Sequence, residues 1–180
     1  MEVYKFTKLK ERGETVMFRQ MRRKKQELSK EEAVKVLERC TSGVLAVLGD
    51  DDYSYAVPLS YVYHDNKIYF HCANDGHKMD AIRKHNKVSF CVIDEDTIVP
   101  EEFTSYFRSV IAFGRARILK REDVKEALDI LSAKYSPGME EARMKEVESC
   151  VETVCMVAID IEHMTGKEAV EYAKRKKVDK

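Results

Sequence analysis

The chain has 180 residues, which is enough to bury a core and favours one domain over two. Lys plus Arg and Asp plus Glu both number 32, so no overall charge draws the chain toward nucleic acid or a membrane surface. No apolar run approaches membrane-spanning length, and the first residues lack a signal-peptide apolar region. We therefore expect a cytoplasmic protein with no nucleic-acid partner and no membrane partner.

Cysteine usage argues against two kinds of structural support. The five cysteines are odd in number and include no Cys-x-x-Cys pair, so neither a disulfide framework nor a structural zinc site is expected. Histidines and a cysteine do cluster between residues 64 and 77, but without any recognised ligand spacing. We predict reduced, buried thiols and no metal site.

Composition divides the chain into three parts. Residues 1–28 are polar and basic and end in a cluster at Arg22 to Lys25, which predicts a solvated arm or a strap across a partner subunit. Residues 29–170 carry the periodic apolar pattern of one folded domain. Residues 171–180 form a basic C-terminal tail, which a second capping box from Thr165 to Glu168 opens.

Six segments have the pattern of β-strands, bounded by turn residues. Asp65 and Asn66 predict a hairpin turn, Gly114 predicts a bend or bulge, and the residues from Asp94 to Glu102 predict an acidic loop. The predicted strands cover residues 43–49, 53–64, 67–72, 88–93, 104–119 and 154–159.

Short helices separate some of these strands. A capping box at Ser29 predicts a helix that ends near Thr41, and helical spacing predicts others over residues 77–84, 122–134 and 140–150. The regular strand–helix alternation of a parallel sheet is absent. The pattern favours a mainly β (α+β) fold, a six-stranded antiparallel split barrel with peripheral helices.

The motifs of several common enzyme classes are missing. The sequence contains no Gly-x-Gly-x-x-Gly, Walker loop, His-Glu-x-x-His or Gly-x-Ser-x-Gly. This argues against Rossmann dehydrogenases, P-loop enzymes, zincins and serine hydrolases. Flavin chemistry remains compatible, because the cofactor itself supplies the reactive atom.

The loop that ends in Gly76-His77-Lys78 is the strongest candidate for a ligand site. It delivers a lysine to a helix N-terminus, where free N–H groups and the helix dipole favour phosphate, although such a sequence is more often an ordinary polar turn. Pro58 on a nearby strand marks an edge or a break, which leaves backbone free to meet a flat ligand. A phosphate next to a planar heterocycle describes flavin mononucleotide.

Two further side chains have both a structural and a functional interpretation. His71 shares a strand face with Tyr69 by the period of two, which could place it at a ligand rather than in solvent. Ser109 could bond a phosphate or ring oxygen, or simply belong to the polar face of its strand. The surrounding tyrosines are expected to be mostly core.

Several short segments, in order, resemble the FMN-binding split-barrel superfamily. The similarity is closest to its nitroimidazole-resistance branch, which is related to pyridoxamine 5′-phosphate oxidase, and it spans roughly residues 20–170. The segments are Val57-Pro58-Leu59-Ser60-Tyr61, Ile68-Tyr69-Phe70-His71, Ala73-x-x-Gly76-His77-Lys78, Val88-Ser89-Phe90 and Met164-Thr165-Gly166-Lys167.

The resemblance implies a homodimer with a flavin at each end of the subunit interface, FMN first and FAD as the alternative. By it, the flavin ring lies along residues 57–60, His77 and Lys78 hold the phosphate with help from Ser109, and His71 is the catalytic candidate. The cofactor contacts it implies are Val57, Pro58, Leu59, Ser60, His71, Cys72, Ala73, His77, Lys78, Ser109, Thr165 and Lys167. The last two would come from the partner subunit.

The expected function is a flavin-dependent oxidoreductase that reduces a nitroaromatic, 5-nitroimidazole-like or similar small acceptor. Pyridoxamine phosphate oxidase activity is not expected, because that activity relies on a C-terminal Trp and Arg, whereas this chain has no Trp and a Lys/Glu-rich tail. Three alternatives stay open: a non-catalytic dimeric flavin-binding module, a haem-binding split barrel, and a barrel without a ligand.

Overall fold

A computed structural model describes the backbone of residues 6–11 and 14–178 and the side chains of residues 18–176. The strands are β1 (Phe6–Glu11), β2 (Glu14–Arg19), β3 (Ser42–Leu48), β4 (Ser54–Ser60), β5 (Val62–His64), β6 (Lys67–Cys72), β7 (Lys87–Val99), β8 (Thr104–Ile118) and β9 (Cys155–Glu168). The helices are α1 (Lys30–Arg39), α2 (His77–Lys84), α3 (Arg121–Tyr135), α4 (Glu140–Cys150) and α5 (Val170–Val178).

The main sheet is antiparallel and has the strand order β4-β3-β7-β8-β9-β6-β5. Its two edge strands, β4 and β5, are consecutive in the chain and are separated only by Tyr61. One residue can connect opposite edges only if the sheet curls until those edges meet. The result is a barrel that is split beside β4, as the sequence predicted in outline.

In the part of the chain that the structure describes, the main sheet has seven strands rather than six, because the predicted strand over residues 53–64 breaks at Tyr61. The Tyr61 side chain is fully buried and its hydroxyl donates to the Leu37 carbonyl at 2.9 Å. The backbone N–H of Tyr61 donates to the Tyr135 hydroxyl, also at 2.9 Å. The break therefore depends on α1 and α3, which are distant in sequence.

The prediction of an acidic loop over residues 94–102 is wrong, because β7 continues to Val99 and only a short 3₁₀ turn follows. A bulge excludes Asp94 from the ladder between Ile93 and Glu95. Beyond it, Glu95 lies opposite Arg108. This pairing of unlike charges offsets the repulsion among the acidic side chains of the segment, which is the feature that had predicted a loop.

The second predicted capping box, at Thr165 to Glu168, is also wrong, because these residues form the end of β9. Thr165 pairs with Ile111 and Lys167 pairs with Ser109 across the ladder to β8. Fourteen residues of continuous strand outweigh a local cap signal. The C-terminal helix α5 begins only at Val170.

Other local predictions are confirmed. The Ser29 capping box is present with both of its hydrogen bonds, and α2 spans His77–Lys84. Asp65 and Asn66 both have positive φ in the β5–β6 hairpin. Gly114 lies at a register shift between β8 and β9.

Within the predicted N-terminal arm, the structure has the β1–β2 hairpin. The Phe18 ring lies 4.6 Å from the His163 ring and 5.6 Å from the Phe113 ring, between centroids. The end of β2 thus packs on the outer face of β8 and β9. None of the described helices is long and apolar enough to cross a membrane.

Candidate functional site

The N-terminus of α2 opens onto free space. Gly76 has φ 104° and caps the helix with its carbonyl, which accepts from Met79 N at 2.8 Å and Asp80 N at 3.1 Å. The N–H groups of His77 and Lys78 precede the first intrahelical bonds, so they remain available. A Cβ added at Gly76 would meet no atom within 4 Å. Together with the half-buried Lys78 side chain, these donors suit an anion.

The His77 side chain contacts the barrel beside the end of α2. Its ring stacks on Tyr55 with centroids 4.2 Å apart, and its Nε2 accepts the Asp50 N–H at 3.4 Å. A hydrogen bond from Lys84 is the largest of the effects that lower the pKa of the Asp50 carboxyl. The imidazole therefore fastens α2 to the turn between β3 and β4, and His77 offers a ligand its backbone N–H.

The four predicted ring contacts on β4 alternate in direction. Val57 and Leu59 are half-buried against the barrel core, whereas Pro58 and Ser60 are exposed on the outer face. No strand pairs with the other edge of β4 among the residues that the structure describes. Pro58 therefore lies on an edge strand, as predicted, and the backbone groups of that edge are available to a flat ligand.

The end of β6 reaches the same region. His71 is exposed and Ala73, just after the strand, is exposed as well. Cys72 points inward, where its Sγ lies 3.3 Å from the Sδ of Met79 and opposite Cys155 in the ladder. Burial raises the pKa of the Cys72 thiol to about 11. Of these three residues, His71 and Ala73 are therefore the ones accessible to a ligand.

The remaining predicted cofactor contacts, on β8 and β9, lie far from the N-terminus of α2. Ser109 and Lys167 are paired across β8 and β9. Cys155 pairs with Cys72, and Thr165 follows ten residues later on β9, a distance of about 33 Å along the strand. One chain therefore does not bring Ser109, Thr165 and Lys167 to Lys78.

A cavity of about 450 Å³ adjoins the exposed side chains of Ser60 and His71. Its opposite wall comes from the helical hairpin α3–α4 and from Val154, which follows it. Sequence reasoning assigned no function to this wall, because amphipathic helices that cover a barrel look the same whether or not they leave a gap. The helical residues that line the cavity are Leu128, Leu131, Ser132, Tyr135, Arg143, Glu146 and Cys150.

Comparison with known proteins identifies relatives of the chain. The family described as pyridoxamine 5′-phosphate oxidase matches residues 29–168. This range covers most of the chain and contains every predicted site residue. A search of curated proteins found no match.

Solved structures share the fold. A candidate 5-nitroimidazole antibiotic resistance protein from Bacteroides thetaiotaomicron is 17% identical, with a TM-score of 0.65 over 93% of this chain and 89% of its own. A FAD-binding protein from Mesorhizobium loti is 28% identical, with a TM-score of 0.57 over 80% and 97%. A FAD and heme binding protein from Mycobacterium smegmatis is 18% identical, with a TM-score of 0.67 over 81% and 73%.

Proposed function

The chain belongs to the pyridoxamine 5′-phosphate oxidase family, and on that premise we propose that it is a flavin-dependent oxidoreductase that reduces a nitroaromatic or similar small acceptor. The observation that carries the proposal is the open N-terminus of α2, with Lys78 beside it, next to the unpaired edge of β4. Similarity to a candidate nitroimidazole-resistance protein and to FAD-binding proteins supports the same function.

The donor set fits a flavin. Backbone N–H groups of His77 and Lys78, with the Lys78 ammonium, would hold the phosphate. The backbone of residues 57–60 would lie along the ring, with Ala73 beside the ribityl chain. We propose FMN as the cofactor, with FAD as the alternative.

A bound flavin would supply the two electrons for the acceptor. The chain's own residues bind and orient the two molecules. His71 and Ser60 are both exposed and both line the same cavity, so both could hydrogen-bond an acceptor held there. His71 is therefore the side chain that we propose as catalytic.

We further propose a homodimer with the flavin at its interface. The outer face of β7 and β8 exposes Ile93, Ile111 and Phe113 in one patch, which a second subunit would cover. Ser109, Thr165 and Lys167 lie at or beside this patch. They would then reach the flavin of the partner, which one chain by itself does not allow.

Flavin titration of wild type and Lys78→Ala tests the cofactor site, with Lys125→Ala on the exposed face of α3 as the control. A lost charge-assisted hydrogen bond is worth about 1.5–3 kcal/mol, so the FMN Kd should rise about 10- to 150-fold in Lys78→Ala. The control should match wild type. Equal affinity for all three proteins would refute the phosphate site.

The same samples separate the alternative functions. Oxidation of a nicotinamide cofactor with loss of 2-methyl-5-nitroimidazole is the expected turnover by flavin-loaded protein. Bound flavin without turnover of any acceptor would indicate a non-catalytic flavin module. A Soret band in the purified protein would indicate haem instead, and failure to bind either cofactor would leave a barrel without a ligand.

A further inference from the structure

The cavity between the ends of β4 and β6, at Ser60 and His71, and the α3–α4 hairpin has the composition of a binding site. Its floor is apolar, with Leu128 and Leu131 from α3 and Val154 from the segment before β9. Its volume of about 450 Å³ lies in the range of small-molecule sites. An apolar wall of this size suits a flat ring.

The polar groups of α3 at the cavity are already committed. The Ser132 hydroxyl donates to the Leu128 carbonyl at 2.7 Å within the helix. The Tyr135 hydroxyl accepts a hydrogen bond from the Tyr61 N–H and donates one to the Tyr61 carbonyl, both at 2.9 Å. Its ring therefore contributes mainly apolar surface to the cavity. These side chains shape the wall and leave recognition to others.

Among the described residues, four polar side chains that line the cavity have no side-chain partner and are free to meet a ligand, namely Ser60, His71, Ser136 and Glu146. Ser60 and His71 come from the barrel, and Glu146 comes from α4 across the cavity. Such a convergence of unsatisfied groups on an apolar wall is typical of ligand sites.

The charge of the lining selects against anions. Among the described residues that line the cavity, Arg143 is the one with a permanent positive charge, and it is ion-paired with Asp129 and donates to the Asp129 carbonyl at 3.2 Å. Its side chain is 14% exposed. A phosphate in the cavity would therefore face the unpaired Glu146 carboxylate with no free lysine or arginine to balance it, and only the His71 imidazole as a titratable partner.

We infer that this cavity is the acceptor site and that it takes uncharged or cationic flat heteroaromatic molecules in preference to phosphorylated ones. The inference rests on the proposed function, because Ser60 and His71 border both the cavity and the proposed flavin site. It extends that function by assigning the specificity to Glu146 and to the α3–α4 hairpin. It also separates this chain from the phosphorylated substrate that its family description names.

Calorimetric titration with pyridoxamine and pyridoxamine 5′-phosphate tests the inference, because the two probes differ only by the phosphate. The flavin-loaded protein should bind pyridoxamine more tightly. Glu146→Gln should weaken pyridoxamine binding about threefold, and Glu146→Arg should weaken it further and strengthen binding of the phosphorylated probe. Glu148→Gln, on the same helix outside the cavity, should match wild type.

Tighter binding of the phosphorylated probe by wild type, or Glu146 variants indistinguishable from the Glu148 control, would overturn the inference. Separate flavin titration keeps the two proposals apart. Flavin binding without any effect of Glu146 defeats only the specificity proposal. Pyridoxamine binding that depends on Glu146 in a protein that takes up no flavin would defeat the proposed function and uphold the ligand class.

Discussion

The Asp94 carboxylate contacts side chains from several elements of the fold. Its own side chain is only 8% exposed. It accepts hydrogen bonds from Arg39 at 2.6 Å and 2.5 Å, from Arg108 at 3.1 Å and from the Cys40 thiol at 3.4 Å. Burial alone would raise the pKa of this carboxyl, but the hydrogen bonds from the two arginines outweigh burial and lower it. The bulge in β7 is what turns the carboxylate toward these partners.

A carboxyl whose folded pKa is lowered stabilises the protein above its unfolded pKa, and this stability is lost as pH falls through the folded pKa. We expect Asp94→Asn to lower the free energy of unfolding at pH 7 by about 1–3 kcal/mol, with a smaller loss under strongly acidic conditions. Urea unfolding at pH 7 and under strongly acidic conditions measures the two changes in the free energy of unfolding. Asp96→Asn, exposed on the same strand, is the control, and a loss from Asp94→Asn that is independent of pH would contradict the explanation.

At the scale of the strands, the β8–β9 ladder is shaped by one glycine. An ideal Cβ at Gly114 would lie 2.3 Å from the Asp160 carbonyl oxygen and 2.9 Å from an Ile159 methyl group. The nearest obstacle is backbone in the middle of a sheet, so it cannot turn aside as a side chain can. Gly114 thus permits the bulge that places the two halves of β9 in register with β8.

We expect Gly114→Ala to destabilise the protein by about 1–3 kcal/mol through overpacking. Arg117→Ala, in the same strand, removes an exposed ion pair with Asp160 and should cost less than about 1 kcal/mol. Thermal or urea unfolding of both variants makes the comparison. A cost for Gly114→Ala no larger than that of the control would mean that β9 can shift to admit the methyl group.

At the scale of the whole molecule, the proposed homodimer depends on an exposed apolar patch. Ile111 is 40% exposed and Ile93 is 63% exposed on the outer face of the barrel, where the dimer is proposed. Burying such side chains contributes about 25 cal/mol per Å² of apolar surface. A charge at the centre of the patch would instead have to be desolvated on association.

Ile111→Asp should therefore shift the protein from dimer to monomer in sedimentation analysis, and should weaken FMN binding at the same time. Ile98→Asp is the matched control, because Ile98 is 77% exposed near the distal end of the β7–β8 hairpin. Dimers that persist in Ile111→Asp would place the interface elsewhere. Monomers that bind FMN like wild type would show that one chain completes the site.

Local patterns were sufficient for the parts of the fold that rest on neighbouring residues. The Ser29 cap, the Asp65-Asn66 hairpin, the α2 boundaries and the Gly114 bulge were all predictable, because each depends on backbone preferences within a few residues. The same is true of Lys78 at a helix N-terminus. The order and spacing of several short motifs were also sufficient to predict the family.

Only the tertiary structure decided the rest. The break at Tyr61 depends on a hydroxyl of Tyr135, and the strand conformation of residues 165–168 depends on pairing with β8. The cavity depends on where α3 and α4 rest against the barrel. Sequence by itself determined the elements and the family, because these follow from local backbone preferences and motifs. The packing of distant segments determined the shape and the charge of the site, since no local pattern records which surfaces meet.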